Sequence, residues 1–315
     1  MENLITPVNG PGVPVISGHR FENLTKAFIT DQDVMISSKS NYERILKQFF
    51  KWVTTSNRLF SGLTRVDILQ YKEGLLSSGM SSLSVATYLG SVRRFYEWCE
   101  SKKYYPNIAK GVRSPRRKQQ FRKESLSKDQ CKALLDHYKY DIRNYAIISL
   151  LLGAGLRTIE VIRANVEDLS IKDGKRILYV LGKGKSDKSE YVKLPDHTFN
   201  AITYYLSRRL KPMANEPLFV STSNNSFNQR LSTRTISKIV KEGLIAIGLD
   251  SRNLTAHSLR HTAAVSIIKA GLPIEYAQHA LRHASISTTQ IYLTSIQDEM
   301  RLKDSTEFIL NDLMV

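Results

Sequence analysis

From Ala146 to Leu156 the sequence is apolar at nearly every position, is punctuated by Gly153 and Gly155, and runs straight into Arg157. A membrane-spanning helix needs roughly 18 such residues, so this run is too short to cross a bilayer. It reads as part of a core helix over about 141–153 that ends at its glycines. Such a helix must be enclosed by other elements, and the surrounding sequence supplies mostly helical patterns.

Tyr42, Ile45, Leu46, Phe49, Phe50 and Val53 recur at three- and four-residue steps, the spacing of one helix face. Thr64 followed by Asp67 is a helix-start signal, leading into Val66, Ile68, Leu69, Tyr71 and Leu75. Ser81 to Lys102 gives a third amphipathic helix. Together these predict a compact helical unit over 37–108, preceded by a flexible N-terminal arm over 1–36 that is rich early in Pro, Gly and Asn and holds at most a short helix near Phe21 to Phe28. Residues 109–124 predict a basic interdomain linker. Within it, Lys110, Arg113, Arg116, Arg117, Lys118, Arg122 and Lys123 place seven cations in fourteen positions with no acid among them. Such a segment suits phosphates, although a charged solvated hinge has the same composition.

The second unit, 125–315, predicts helices at about 127–139, 141–153, 196–210, 232–247, 257–270 and 273–281, with another beginning near Arg157. The strong β signal is Arg176–Leu181, a turn at Gly182-Lys183-Gly184-Lys185, and Ser189–Leu194. The expected fold class is therefore mainly α with a small antiparallel β-sheet.

Composition narrows the function. The chain has 315 residues, and its 46 Lys+Arg against 29 Asp+Glu give a net charge of +17. At about 150 residues per domain that length suggests two domains. A hydrophobic fraction of 42% with 24% charged residues fits an ordinary globular protein rather than a disordered one. Two cysteines exclude a disulfide scaffold and a four-cysteine zinc site. The N-terminus lacks a basic region followed by an apolar one, so no secretory signal is expected and a cytoplasmic, nucleoid-associated location is. The positive excess points to a polyanion, nucleic acid before membrane.

Four local groups can carry chemistry. Arg157 follows two glycines at the edge of the core, where a guanidinium needs partners, and Glu160 can orient it; a purely internal ion pair has the same signature. Gly182–Lys185 would let backbone and lysine approach a phosphate, although most Gly/Lys hairpins are only polar turns. The GxxxxGK[ST] pattern is absent, so nucleoside triphosphate binding is not supported. His257 and Arg260 share a helix face, which suits a phosphate or oxyanion. His257 and His261 have zinc spacing, but position 258 is Ser where the metalloprotease pattern needs Glu. Finally, His283 is followed nine residues later by Tyr292.

In order and spacing, AGLRTIE, VLGKGKSDK, HSLRHT and LRHASISTTQIY resemble the motifs TGLR-x-x-E, V-x-GKG-x-K, H-x-LRHT and LGH-x-x-x-x-T-x-x-x-Y of the tyrosine recombinase (phage integrase) family, of the Xer or mobile-element kind. The resemblance covers nearly all of the chain beyond the first 35 residues. One position departs from the pattern: the residue before His283, usually glycine in the family, is Arg282.

The resemblance implies a helical SAM-like core-binding domain and a mixed α/β catalytic domain forming a clamp round DNA. It implies transesterification: Tyr292 attacks a backbone phosphate, a 5′-hydroxyl leaves, and a 3′-phosphotyrosine bond holds the strand until another 5′-hydroxyl reverses the step. Arg157 and Arg260 would hold the nonbridging oxygens, which gain charge in the transition state. His257 would assist loss of the tyrosine proton and His283 would hydrogen-bond the phosphate. Lys183 would protonate the leaving oxygen, with Lys185 and Lys188 as nearby competitors. Glu160 would position. No metal, ATP or other cofactor is required.

The implied partners are double-stranded DNA recombination sites, a homotetramer on two sites built through the apolar C-terminal tail Glu307–Val315, and an accessory DNA-bending or directionality protein, with no membrane. Arg93, Arg94, Arg113, Arg116, Arg117 and Lys118 are candidate DNA contacts. A type IB topoisomerase-like enzyme and a non-cutting DNA-binding regulator are the alternatives.

Overall fold

The computed structural model describes residues 18–116, 124–182 and 187–290 together with Tyr292, Leu293 and Ile296, with side chains from residue 21 onward. The chain divides into Met1–Gln120 and Phe121–Val315. Arg117, Lys118, Lys183, Lys185 and the segment 307–315, all singled out in the sequence, lie outside the described residues, as do residues 1–17.

In the first unit, helices α1 (Gly18–Asp31), α2 (Ile36–Thr55), α3 (Arg65–Ser77) and α4 (Ser82–Ser101) share one core. The start of α3 is the one its sequence signals: the Asp67 carboxylate accepts the Thr64 backbone N–H at 2.7 Å and its hydroxyl at 2.8 Å. The core is strongly aromatic. Phe28 and Phe50 both meet Phe95 edge-on, at centroid distances of 5.6 and 5.5 Å. Such pairs add about 0.5–1.5 kcal/mol each beyond the area they bury.

The expectation of an arm over 1–36 is corrected for its second half. Phe21, Leu24 and Phe28 recur at helical spacing on α1 and are buried with the rest of the core. Trp98 on α4 donates its indole N–H to Asp31 at 2.8 Å, tying down the end of α1. The short helix expected near Phe21 to Phe28 is thus the middle of α1, and the Pro- and Gly-rich composition belongs to the residues before it.

Two of the candidate DNA contacts are engaged within this unit. Arg93 donates to the Val112 carbonyl and to Ser114 Oγ, both at 3.0 Å, and Arg94 donates to Gln32 at 3.1 Å. Arg94, Arg113 and Arg116 are exposed.

The second unit holds α5 (Lys128–His137), α6 (Ile142–Ala154), α7 (Thr158–Arg163), strands β1 (Leu169–Lys172), β2 (Lys175–Val180) and β3 (Glu190–Lys193), then α8 (Asp196–Ser207), α9 (Thr233–Ala246), α10 (Ala256–Lys269) and α11 (Ile274–Leu281). The strands form an antiparallel sheet in the order β1-β2-β3, with Leu178 opposite both Leu169 and Val192. The sequence reading had β2 and β3 but not β1. That strand is only four residues long, and it joins β2 through Asp173-Gly174, both with positive φ, a two-residue hairpin turn.

Helix α6 is the apolar run that opened the sequence reading. Ala146, Ile147, Ile148, Leu150 and Leu151 are fully buried, and α8 and α10 lie against it. Burying each large side chain contributes about 1.5–3 kcal/mol. Gly153 permits the close approach of α8, since a Cβ there would stand 2.3 Å from Thr198 Oγ1. Among the described residues no helix is long and apolar enough to cross a membrane.

Candidate active site

The end of α6 begins the site. Gly155 caps the helix in a left-handed conformation (φ +56°) that non-glycine residues rarely adopt. A Cβ on Gly155 would also meet Leu281 Cδ2 at 2.7 Å. The turn exposes the Gly155 carbonyl to Arg260 of α10, whose guanidinium donates to it at 2.5 Å and to the Leu281 carbonyl at the end of α11. Three segments far apart in sequence are thus joined on one arginine. Arg260 is 1% exposed. Burial and the neighbouring Arg157 guanidinium pull its pKa down to about 10, which leaves it charged at neutral pH.

Two residues past Gly155, Arg157 starts α7. Glu160, one turn on, accepts the Arg157 backbone N–H at 2.7 Å and its guanidinium at 2.9 Å. This closes the first turn of the helix and fixes the arginine with the same carboxylate. Glu160 is completely buried, whereas the Arg157 side chain keeps 31% of its surface exposed and can meet a ligand. A second oxygen contact comes from Arg282, whose Nη2 donates to Glu160 Oε2 at 2.7 Å. The same Oε2 stands 3.9 Å from Arg260 Nη1. Burying a carboxylate carries a large desolvation cost, which guanidinium partners of this kind offset.

His283 follows Arg282. It is 8% exposed, and its Nδ1 is engaged with Thr289 Oγ1 at 2.9 Å. Burial, together with the charges of Arg260, Arg157, His257 and Arg282, pushes its pKa down to about 4, so the imidazole is neutral at physiological pH. A neutral imidazole with Nδ1 engaged presents Nε2 as its other hydrogen-bonding edge.

Tyr292 closes the cluster. Its ring stacks on His283 with centroids 5.9 Å apart and lies 4.8 Å from the ring of His261. It is 5% exposed, and burial raises its pKa, while the charges of Arg260 and Arg157 oppose that rise. The phenol therefore sits protonated beside two cations that favour its anion.

Arg157, Arg260, His283 and Tyr292, all chosen from sequence, thus meet in one cluster with Glu160. His257 is exposed as the second residue of α10, and its charge is among those acting on His283. His257 and His261, although four residues apart, occupy different environments, since His261 is fully buried against Tyr292. Lys188, one of the competitors for the proton-transfer role, donates to Asp168 at 2.5 Å. The base of the hairpin loop is pinned by Arg163, which donates to the Gly182 carbonyl at 3.3 Å.

Two contributors escaped the sequence reading. Thr289 was hidden in a run of Ser and Thr, and its signal was only the six-residue step back to His283. Arg282 was noted as a departure from the family pattern without its partner. Its φ of +53° explains why glycine suits the position.

Residues 124–299 match the family profile "Phage integrase family", and residues 31–103 match "Phage integrase, N-terminal SAM-like domain". The chain belongs to the phage integrase family and is a tyrosine recombinase. Similar relatives of this integrase-family chain include the tyrosine recombinase XerD of Oceanobacillus iheyensis, 28% identical over 276 residues, spanning 84% of this chain and 89% of the relative. The tyrosine recombinase XerC of Vibrio cholerae is 28% identical over 272 residues, spanning 84% of each. The fold is also that of the XerH site-specific recombinase bound to its palindromic difH substrate in a post-cleavage complex. The TM-score is 0.71 at 20% identity, over 91% of this chain and 84% of that one.

Proposed function

We propose that this integrase-family recombinase cuts and rejoins DNA at specific sites through a covalent 3′-phosphotyrosine bond at Tyr292. The observation that carries the reading is a buried tyrosine stacked on a neutral histidine, within a cluster that also holds the buried Arg260 and the partly exposed Arg157. In the proposed step the Tyr292 oxygen bonds to phosphorus as the bond to the 5′-oxygen breaks. The phenol proton passes to His257, and the leaving alkoxide takes a proton from Lys183, an assignment that follows the family motif.

Arg157 and Arg260 bind the nonbridging oxygens as their charge grows, the role for which planar guanidiniums are suited. His283, neutral at working pH, supplies a hydrogen bond rather than a charge. The phosphodiester is exchanged rather than hydrolysed, so the bond energy is conserved and no ATP is needed. The positive charge on the phosphate comes from side chains, so the step proceeds in EDTA.

The same reading takes the helical unit through residue 108, α1 included, as a core-binding domain and 125–315 as the catalytic domain, which together clamp a duplex. The linker cations, Arg113, Arg116, Arg117 and Lys118 among them, contact phosphates and position the protein without reading sequence. Four protomers on two sites, joined through residues 307–315, carry out the exchange.

The test is a suicide duplex nicked beside the candidate site, incubated with protein in EDTA and resolved on a denaturing gel. A covalent adduct with wild type that is absent with Tyr292→Phe supports the reading. Site-specific binding without any adduct, on a site shown to recombine in cells, would indicate a non-cutting regulator instead.

A further inference from the structure

Arg282 ends α11 in a conformation that disfavours it. Its φ of +53° and ψ of +51° are left-handed, a region that non-glycine residues rarely adopt. Its long cationic side chain is also almost fully withdrawn from water, at 9% exposure. That burial would not be retained by a side chain that swung outward into solvent. Instead the guanidinium turns inward: Nη2 donates to Glu160 Oε2 at 2.7 Å and Nη1 donates to the Ala280 carbonyl at 3.1 Å.

The partner gives this its meaning. Glu160 fixes Arg157 through both of its oxygens, and Arg157 is the half-exposed arginine of the cluster. Without Arg282, Oε2 would keep the Arg157 backbone N–H as its one close donor, with Arg260 standing off at 3.9 Å. A carboxylate held by one arginine can rotate with it. One that also accepts from a second guanidinium, itself tied to the Ala280 carbonyl through its other Nη, is held more firmly, because the planar guanidinium fixes direction as well as distance.

We propose that Arg282 is a positioning residue for strand cleavage, which locks Glu160 and through it the orientation of Arg157 toward the scissile phosphate. This rests on the transesterification reading above. The position has two roles that pull apart: the backbone favours glycine, whereas the site uses the guanidinium.

That opposition makes the proposal testable. Single-turnover cleavage of the suicide duplex at saturating protein, and separately DNA affinity, are measured for wild type, Arg282→Gly, Arg282→Lys, Glu160→Gln and the double variant Arg282→Gly/Glu160→Gln. Displacing a positioned group by a fraction of an ångström to an ångström slows chemistry by about 10- to 100-fold. Arg282→Gly is expected to cleave within that range below wild type, with DNA affinity changed less than about threefold and thermal stability held by the relieved backbone.

Arg282→Lys, which keeps the charge but not the fork, should fall between wild type and the glycine variant. It also preserves the reading if the glycine variant fails to fold. The double variant should cleave no more slowly than Glu160→Gln alone, since Arg282 acts through that carboxylate.

Cleavage by Arg282→Gly at or above the wild-type rate would overturn the proposal. So would additive losses in the double variant. If wild type itself forms no adduct, or Tyr292→Phe still forms one, the failure belongs to the transesterification reading instead.

Discussion

The imidazole of His283 lies stacked on the phenol of Tyr292, their planes inclined by 22°, while its Nδ1 is engaged with Thr289 at 2.9 Å. This imidazole, held through Nδ1 and kept neutral by burial and the surrounding cations, adds no charge of its own, and the charge acting on the phenol comes from Arg260 and Arg157.

Acid should expose the neutral state of His283 as a stability effect. Its folded pKa is depressed to about 4 from 6.5, so between those values the unfolded chain binds a proton that the folded site refuses. Stability contributed by this residue is complete above about pH 6.5 and is lost as pH falls toward 4, by as much as about 3 kcal/mol. Denaturant midpoints measured from pH 4.5 to 7 should fall more gently for His283→Gln than for wild type. Parallel pH slopes for the two proteins would remove His283 as the source.

Thr289→Val keeps the shape of a fully buried side chain and deletes the hydroxyl that holds His283. Leaving a buried ring nitrogen unpartnered costs about 1–2 kcal/mol. The expected outcome is a modest drop in melting temperature with a cleavage rate lowered about 10-fold or more through misorientation of His283. A wild-type cleavage rate would show that Thr289 only fills space.

Glu160→Gln would leave Arg157 and Arg282 facing a neutral amide in the interior. Removing one partner of a buried ion pair typically destabilises by about 3–5 kcal/mol. Chemical unfolding should register a loss of that size. A change below about 1 kcal/mol would mean that water reaches the carboxylate and screens it.

Gly155→Ala tests the backbone that carries Arg260. The left-handed φ and the 2.7 Å approach of Leu281 Cδ2 both oppose a methyl group there. Together they should lower stability by about 1–3 kcal/mol and slow cleavage, because the displaced carbonyl is one of the acceptors for Arg260. Equilibrium unfolding and single-turnover cleavage report the two effects separately, and a variant unchanged in both would contradict the role of this turn.

Much of the site was legible because its residues sit at places that sequence marks. Gly153 and Gly155 end an apolar helix and announce Arg157. The helical pattern expected over 257–270 carries Arg260, and α10 buries it. What stayed hidden depends on where a side chain turns after the backbone is set. The Arg282–Glu160 contact spans 122 residues and relies on a positive φ that no periodicity encodes. Strand β1 was missed because four half-polar residues give little alternation, although Asp173-Gly174 was a usable hairpin signal. Helix α1 was read as part of an arm because its neighbours in sequence, not its own face, set the local composition.

The central claim is that Tyr292 bonds to DNA, and mapping the bond tests it most directly. Covalent complexes trapped on the suicide duplex in EDTA would be digested with nuclease and trypsin and the nucleotide-bearing peptide sequenced by mass spectrometry. The phosphate should be found on Tyr292, within the tryptic peptide 283–301, with a free 5′-hydroxyl on the released strand. A phosphate on any other residue, or a 5′-linked adduct, would contradict it.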